Sequence, residues 1–233
     1  GVAIPEIAAA VGTPFYVYST ATLTRHFRLF TEALSPLPHL VCFAIKSLSN
    51  VAVLKVLGDL GAGMDVVSIG EYLRARAAGV PGDRIVFSGV GKTREELGEA
   101  LALGIYQFNL ESEPEADMLS AVAATQGRTA AVAFRVNPDV DAGTHAKIST
   151  GKAENKFGVP IDRASAAYDL ARRLPGLDPV GVAVHIGSQL TSLAPLEAAV
   201  RRVGELIATL RGEGHAIARA DVGGGLGVPY DPA

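Results

Sequence analysis

The sequence predicts an α/β fold in which parallel strands are joined by single helices and rolled into a barrel. Three observations carry this expectation. Apolar, β-branched segments alternate with stretches rich in Ala, Leu, Glu and Arg along the chain. Helix-start signals fall between the apolar segments. Within the strands, large apolar side chains take one parity and small or polar side chains take the other.

Taken in order, strands are expected at about 40–46, 63–68, 85–89, 105–111, 130–137, 180–186 and 218–223, seven in all. Thr93 with Glu96 and Ser112 with Glu115 match the capping box, in which a hydroxyl and a carboxylate reciprocally satisfy free amide donors. Gly79, Gly104, Gly127 and Gly214 follow helical patterns, where a residue of positive φ is needed to end the helix. Repeated strand–helix units close into a (β/α)8 barrel or remain an open doubly wound sheet, and periodicity alone does not choose. The parity of the strands does. Val41, Phe43 and Ile45 oppose Cys42, Ala44 and Lys46; Phe108 and Leu110 oppose Gln107, Asn109 and Glu111; Phe134 and Val136 oppose Ala133 and Arg135. Val182 and Val184 likewise oppose Ala183 and His185, and Ala220 and Val222 oppose Asp221 and Gly223. One face therefore suits a narrow interior and the other a layer of helices. The polar residues gather near strand C-termini, where α/β barrels build their sites.

With seven strands apparent, the barrel, residues 21–233, is expected to be truncated after the seventh. Residues 1–20 are read as a leader: Thr13 to Ser19 has a β-rich pattern that would belong to a second domain, followed by a helix from about Thr22 to Leu34.

Composition narrows the partners. With 48% hydrophobic and 19% charged residues in 233, and a formal net charge of −3, the chain is globular and not disordered. Its 21 Lys and Arg against 24 Asp and Glu are interspersed, which leaves no basic surface for nucleic acid. Cys42 is the sole cysteine, so neither an intrachain disulfide nor a CxxC site is available, and a reducing cytoplasm is expected. No apolar run reaches 18 residues and the N-terminus lacks a basic-then-apolar order, so no membrane partner or export is expected.

Lys46 ends a strand of apolar and small residues. It is either an amine poised by partial desolvation for a Schiff base with a carbonyl cofactor, or a lysine that snorkels to solvent. His185, within Val184-His185-Ile186-Gly187-Ser188-Gln189, is either a hydrogen-bonded core residue or an imidazole lying flat on a planar cofactor, with Ser188 supplying a hydroxyl; no metal-ligand spacing accompanies it. Gly223-Gly224-Gly225-Leu226-Gly227 after a strand is either a tight turn or an anion cradle of bare amides. It fails the dinucleotide fingerprint at Val228, and Gly91-Lys92-Thr93 fails the P-loop pattern at Val86. Asp65, Ser68 and Glu71 cluster after the second strand, and Arg135 ends the fifth. The connection from Asn137 to about Ile161 exceeds usual loop length and suits a lid or interface. Its Asp139 and Asp141 lack the bidentate Glu of a calcium loop.

In combination these segments resemble the diaminopimelate decarboxylase family. Phe43-Ala44-Ile45-Lys46, Asp65 to Glu71, Val86 to Thr93, His185 to Gln189 and Gly223 to Gly227 stand in its order and spacing. The most specific stretch is Arg135 to Asp139, then Gly143-Thr144-His145, Ser149-Thr150-Gly151 and Asn155-Lys156-Phe157-Gly158. The resemblance runs from Thr13 to Tyr230 and implies an alanine-racemase-like barrel carrying pyridoxal 5′-phosphate. It implies that Lys46 holds the cofactor covalently, that His185 stacks on its ring, and that Gly223, Gly224 and Gly225 with Ser188 receive the phosphate. Asp65 and Arg135 match positions near the lysine and ring; Lys46 and His185 are the catalytic candidates. The implied reaction is decarboxylation of meso-2,6-diaminopimelate to L-lysine, in a cytoplasmic homodimer. The family usually follows its lysine with Ala-Asn, where this chain has Ser47-Leu48. An eighth strand with a Glu-Pro-Gly-Arg motif and a C-terminal β-domain are absent from this sequence, so the chain alone is expected not to turn over substrate. A single-domain, non-catalytic carrier of the same cofactor and an ornithine or arginine decarboxylase are the alternatives.

Overall fold

The structure, a computed structural model, describes residues 1–140 and 157–228. Its strands are β1 (Cys42–Ala44), β2 (Gly63–Val66), β3 (Ile85–Phe87), β4 (Gln107–Leu110), β5 (Ala130–Asn137), β6 (Val159–Pro160), β7 (Leu177–Val184) and β8 (Arg219–Asp221). All pairings are parallel, in the order β1-β2-β3-β4-β5-β7-β8, with β6 pairing only to the end of β5. The helices are α1 (Ile4–Val11), α2 (Thr20–Leu34), α3 (Val51–Asp59), α4 (Ile69–Ala77), α5 (Arg94–Leu103), α6 (Glu113–Gln126), α7 (Ala164–Arg173) and α8 (Ala194–Gly212). Each of the seven expected strands is present. The two-residue β6 is an addition, inside what the sequence suggested was one long connection.

The sheet is curled. In a flat sheet β4 and β8, three strands apart, would be separated by about 14 Å. Instead Asn109 of β4 donates to Asp221 of β8 at 2.7 Å across the concave side. Large residues of the opposite parity, among them Met64, Phe87, Phe108, Phe134 and Val182, are fully buried in the core between sheet and helices. Burying each such side chain stabilises the fold by about 1.5–3 kcal/mol relative to leaving it in water. β1 and β8 do not pair with each other among the described residues.

Local signals behave as the sequence suggested, with three corrections. Thr93 and Glu96 form the full reciprocal capping box of α5, and the glycines at 79, 104, 127 and 214 all have positive φ. At α6, Ser112 accepts from the amide of Glu115, but Glu115 does not return the bond; its carboxylate is taken by Lys92 and by the amide of Glu111. Residues 13–19 form no strand within the described residues, and the first twenty residues carry the helix α1. Lys46 does not end β1; it sits two residues beyond Ala44, in a single 3-10 turn over Ile45–Ser47.

One irregularity sets the site's geometry. Between Val132 and Ala133 the β5–β7 register slips by a residue, a bulge that frees backbone groups from the ladder. The Tyr168 hydroxyl of α7 fills the gap, accepting from the Phe134 amide at 3.2 Å and donating to the Gly181 carbonyl. Its ring packs edge-on against Phe134 at 5.3 Å. Beyond the bulge Arg135 pairs with Ala183, two residues before His185.

Candidate active site at the C-terminal mouth

Lys46, Gly89, Val90, Glu111, Arg135, Phe157 and His185 line a cleft of about 250 Å³ at the C-terminal ends of the strands. Lys46 is placed by its neighbours: Ile45 is fully buried, and Ser47 donates its hydroxyl to the Ala44 carbonyl at 2.7 Å, closing the turn. The residue is solvent-exposed. The sequence suggested a partly desolvated amine, but the turn carries it past the end of the half-buried strand β1.

Arg135 projects from β5 and forms an ion pair with Glu111, past the end of β4, at 2.9 Å. Glu111 is buried, and Arg135 lies over the ring of Phe157 at 5.5 Å. The buried Glu111 Oε2 and Arg135 Nε have no hydrogen-bond partner within the described protein. His185 follows β7, its Nδ1 facing the Gly224 amide at 3.5 Å. Burial, then the nearby Arg135 and Lys46 charges, push the imidazole down to about 4, so the ring is neutral at physiological pH.

Behind the cleft runs a polar chain from β2 to the triglycine turn. Ser88 donates to Asp65 Oδ1 at 2.5 Å, and Asn109 Nδ2 donates to Ser88 Oγ at 3.1 Å as well as to Asp221. Asp221 Oδ1 accepts from the Gly223 amide at 2.9 Å. Burial raises the Asp65 carboxyl to about 6; the Ser88 bond and Lys46 oppose the rise, while Asp221 and Glu71 add to it. The Cys42 thiol is pushed up to about 12 by burial and by Asp221 and Asp65, which keeps it protonated.

The triglycine turn is a close-packed backbone cradle. A Cβ at Gly223 would lie 2.3 Å from the Val184 carbonyl, and one at Gly225 would lie 1.9 Å from the Gly187 carbonyl; both residues have positive φ. At Gly224 the same position is open, with no atom within 4 Å. The Leu190 amide donates to the Gly225 carbonyl at 2.8 Å, locking the loop after β7 to the loop after β8.

Of the residues expected from sequence, Lys46, Arg135 and His185 share the cleft, and the turn Gly223–Gly225 touches His185. Asp65 lies behind the cleft on the Ser88 chain, and Ser188 stands exposed against Gly225. Gly143 to His145, Ser149 to Gly151, Asn155, Lys156 and Tyr230 lie outside the described residues. Sequence reasoning passed over Glu111, Asn109 and Asp221 as site residues. The available signal was their inward parity, which placed polar groups on a narrow interior face without showing which would meet.

A pyridine ring bearing an aldehyde and a phosphate requires an amine, a flat uncharged partner and a seat for an anion. The exposed amine of Lys46, the neutral imidazole of His185 and the bare turn at Gly224 provide these on one side of the molecule, and the unpartnered Arg135 Nε and Glu111 Oε2 offer it polar contacts. The residues present fit the group.

Comparison with known proteins agrees. Residues 20–233 match the family model of the pyridoxal-dependent decarboxylases, pyridoxal binding domain. The diaminopimelate decarboxylase of Zymomonas mobilis is 54% identical over 97% of this chain and 55% of its own length; that of Pseudomonas aeruginosa is 52% identical over 99% and 55%. The crystal structure of diaminopimelate decarboxylase from Helicobacter pylori complexed with L-lysine superposes with a TM-score of 0.95 at 41% identity, covering 98% of this chain and 58% of that one. The chain thus spans about half the length of the curated relatives it matches. By its curled parallel sheet, its polar concave face and this family match, the chain belongs to the pyridoxal-dependent decarboxylases, whose pyridoxal-binding domain it contains.

Proposed function

We propose that this chain is the cofactor-holding part of a decarboxylase that converts meso-2,6-diaminopimelate to L-lysine and CO2, working in the full-length protein as a homodimer. The observation that carries the reading is the convergence of Lys46, Arg135 and His185 on one cleft beside the Gly223–Gly225 turn, in a chain so similar to diaminopimelate decarboxylases.

Pyridoxal 5′-phosphate, when bound, supplies an aldehyde that takes up amines and a conjugated ring that accepts the electron pair left by departing CO2. Lys46 holds it covalently. His185 presents an uncharged ring face, and its low proton affinity prevents a second cation from forming beside Arg135. The amides of the glycine turn, with Ser188, seat the phosphate without side chains in the way. Asp65, whose carboxyl titrates close to neutrality beside Lys46, holds or releases a proton near the amine. Glu111 balances the Arg135 charge and fixes its planar fork at the cleft wall.

The test is direct. Pyridoxal 5′-phosphate is added to the purified protein, reduced with borohydride, and the modified residue is located by peptide mass spectrometry. The adduct is expected on Lys46 and is expected to vanish in Lys46→Ala; an adduct that persists in that variant overturns the assignment. Release of CO2 by the full-length protein from meso-diaminopimelate, but not from ornithine or arginine, supports the substrate; failure on all three leaves the carrier reading.

A further inference from the structure

Lys92 lies outside the cleft, yet it is tied to its rim. Its side chain is fully enclosed. The ammonium donates to the Gly89 carbonyl at 2.6 Å, to the Asn109 carbonyl at 2.7 Å and to Glu115 Oε1 at 2.6 Å, which uses all three of its N–H groups. The other Glu115 oxygen accepts from the Glu111 amide at 2.9 Å. Gly89 and Glu111 both line the cleft.

The location explains the need. The β3–β4 ladder pairs Val86 with Gln107 and Phe87 with Phe108, and is not continued beyond Phe108. Past that point the two chains carry Gly89 and Glu111 to the mouth without ladder bonds between them. Lys92 bridges their continuations by taking one carbonyl from each, and Glu115 takes the Glu111 amide two residues past Asn109. Thr93 caps α5 and Ser112 caps α6, so both members of the ion pair are anchored at helix starts. An apolar pair could fill this space as well, and often at no loss of stability. It could not bind three backbone groups.

We propose that Lys92 and Glu115 are positioning residues of the cleft: acting through the backbone of Gly89, Asn109 and Glu111, they set where the Glu111 carboxylate meets Arg135. The Gly91-Lys92-Thr93 motif, which no nucleotide site accounts for, then has a role. The inference deepens the cofactor reading above and rests on it for one of its two readouts.

The experiment compares wild type with the double variant Lys92→Met/Glu115→Leu in the full-length protein. Thermal unfolding reports whether the apolar pair is accommodated. In cofactor-free protein, NMR titration of the His185 imidazole reports where Arg135 sits, since the Arg135 charge is one of those that lower the proton affinity of that ring. A folded double variant is expected to raise the His185 pKa by about half a unit or more and to bind pyridoxal 5′-phosphate about tenfold or more weakly, by absorbance titration. A folded double variant with both readouts at wild-type values overturns the proposal. If the double variant does not fold, Glu115→Gln carries the same readouts, because Lys92 and the Glu111 amide donate to different carboxylate oxygens and an NH2 group in place of either one cannot accept; unchanged values there overturn the proposal equally. Failure of wild type to form an adduct on Lys46 would count against the proposed function, while the His185 titration still decides this inference.

Discussion

A side chain at Gly225 would overlap the carbonyl of Gly187: the ideal Cβ position lies 1.9 Å from that oxygen. Gly225→Ala must therefore part the loops after β7 and β8, and it also strains a φ of +95°. It is expected to destabilise the protein by about 2 kcal/mol or more, judged by thermal denaturation. Gly224 offers a contrast, with open space at its Cβ position and no positive φ. Gly224→Ala is expected to unfold like wild type while binding pyridoxal 5′-phosphate more weakly, because its methyl group would enter the open space of the proposed phosphate seat. Equal effects of the two substitutions on stability would contradict this account of the turn.

Asp65 and His185 give stability opposite pH dependences over one window. Asp65 is raised to about 6 by burial, so its favourable contribution is complete below its unfolded value near 4 and is lost as pH rises through 6. His185 is lowered to about 4, so its contribution is complete above its unfolded value near 6.5 and is lost as pH falls through 4. Between pH 4 and 6 the two nearly cancel. Removing one exposes the other: His185→Gln is expected to lose stability as pH rises from 4 to 6, and Asp65→Asn to gain it, each with a limiting slope of about 1.4 kcal/mol per pH unit. Urea unfolding of cofactor-free protein across this range checks both signs.

The Glu111–Arg135 pair is nearly closed to solvent, with side-chain exposures of 4% and 15%. Glu111→Ala strands the guanidinium and is expected to cost about 3 kcal/mol in chemical denaturation. Arg135→Lys keeps the charge but loses the planar fork over Phe157 and is expected to weaken cofactor binding as well. A neutral outcome for Glu111→Ala would mean that solvent reaches Arg135 freely.

The two lysines at this end of the sheet should separate in stability. Lys46 is exposed, so Lys46→Ala is expected to change the unfolding free energy by less than about 0.5 kcal/mol. Lys92→Ala leaves the Glu115 carboxylate without its cation in the interior and is expected to cost about 3–5 kcal/mol. Comparable losses would remove the distinction between an amine available to a ligand and one committed to the fold.

Much of this was legible in the sequence. Strand and helix order, the positive-φ glycines and the inward parity of Glu111, Arg135 and Asp221 follow from local rules: a strand alternates its faces every residue, and a helix needs a cap at each end. The motifs around Lys46, His185 and the triple glycine are local too, and each alone left two readings open. The residues that connect them were not legible. Asn109 and Asp221 are 112 positions apart in the chain, and they meet because the sheet curls. Glu115 answers a cap signal in sequence and an ammonium in the structure, because the buried Lys92 and the Glu111 amide take its carboxylate in place of the Ser112 amide. The β5–β7 bulge is marked locally only by Pro179 and Gly181 on either side of the skipped Val180, and nothing local marks the α7 hydroxyl that repairs it.

What the sequence determined by itself was therefore the set of elements, their faces and the chemical groups delivered to one end of the sheet. Only the tertiary structure decided which of those groups touch, that Lys46 steps past its strand into solvent, and that Lys92 turns inward. The reason is range: φ preferences and side-chain alternation act within a few residues, whereas curvature, strand register and the satisfaction of buried charges are settled only when distant segments are packed against one another.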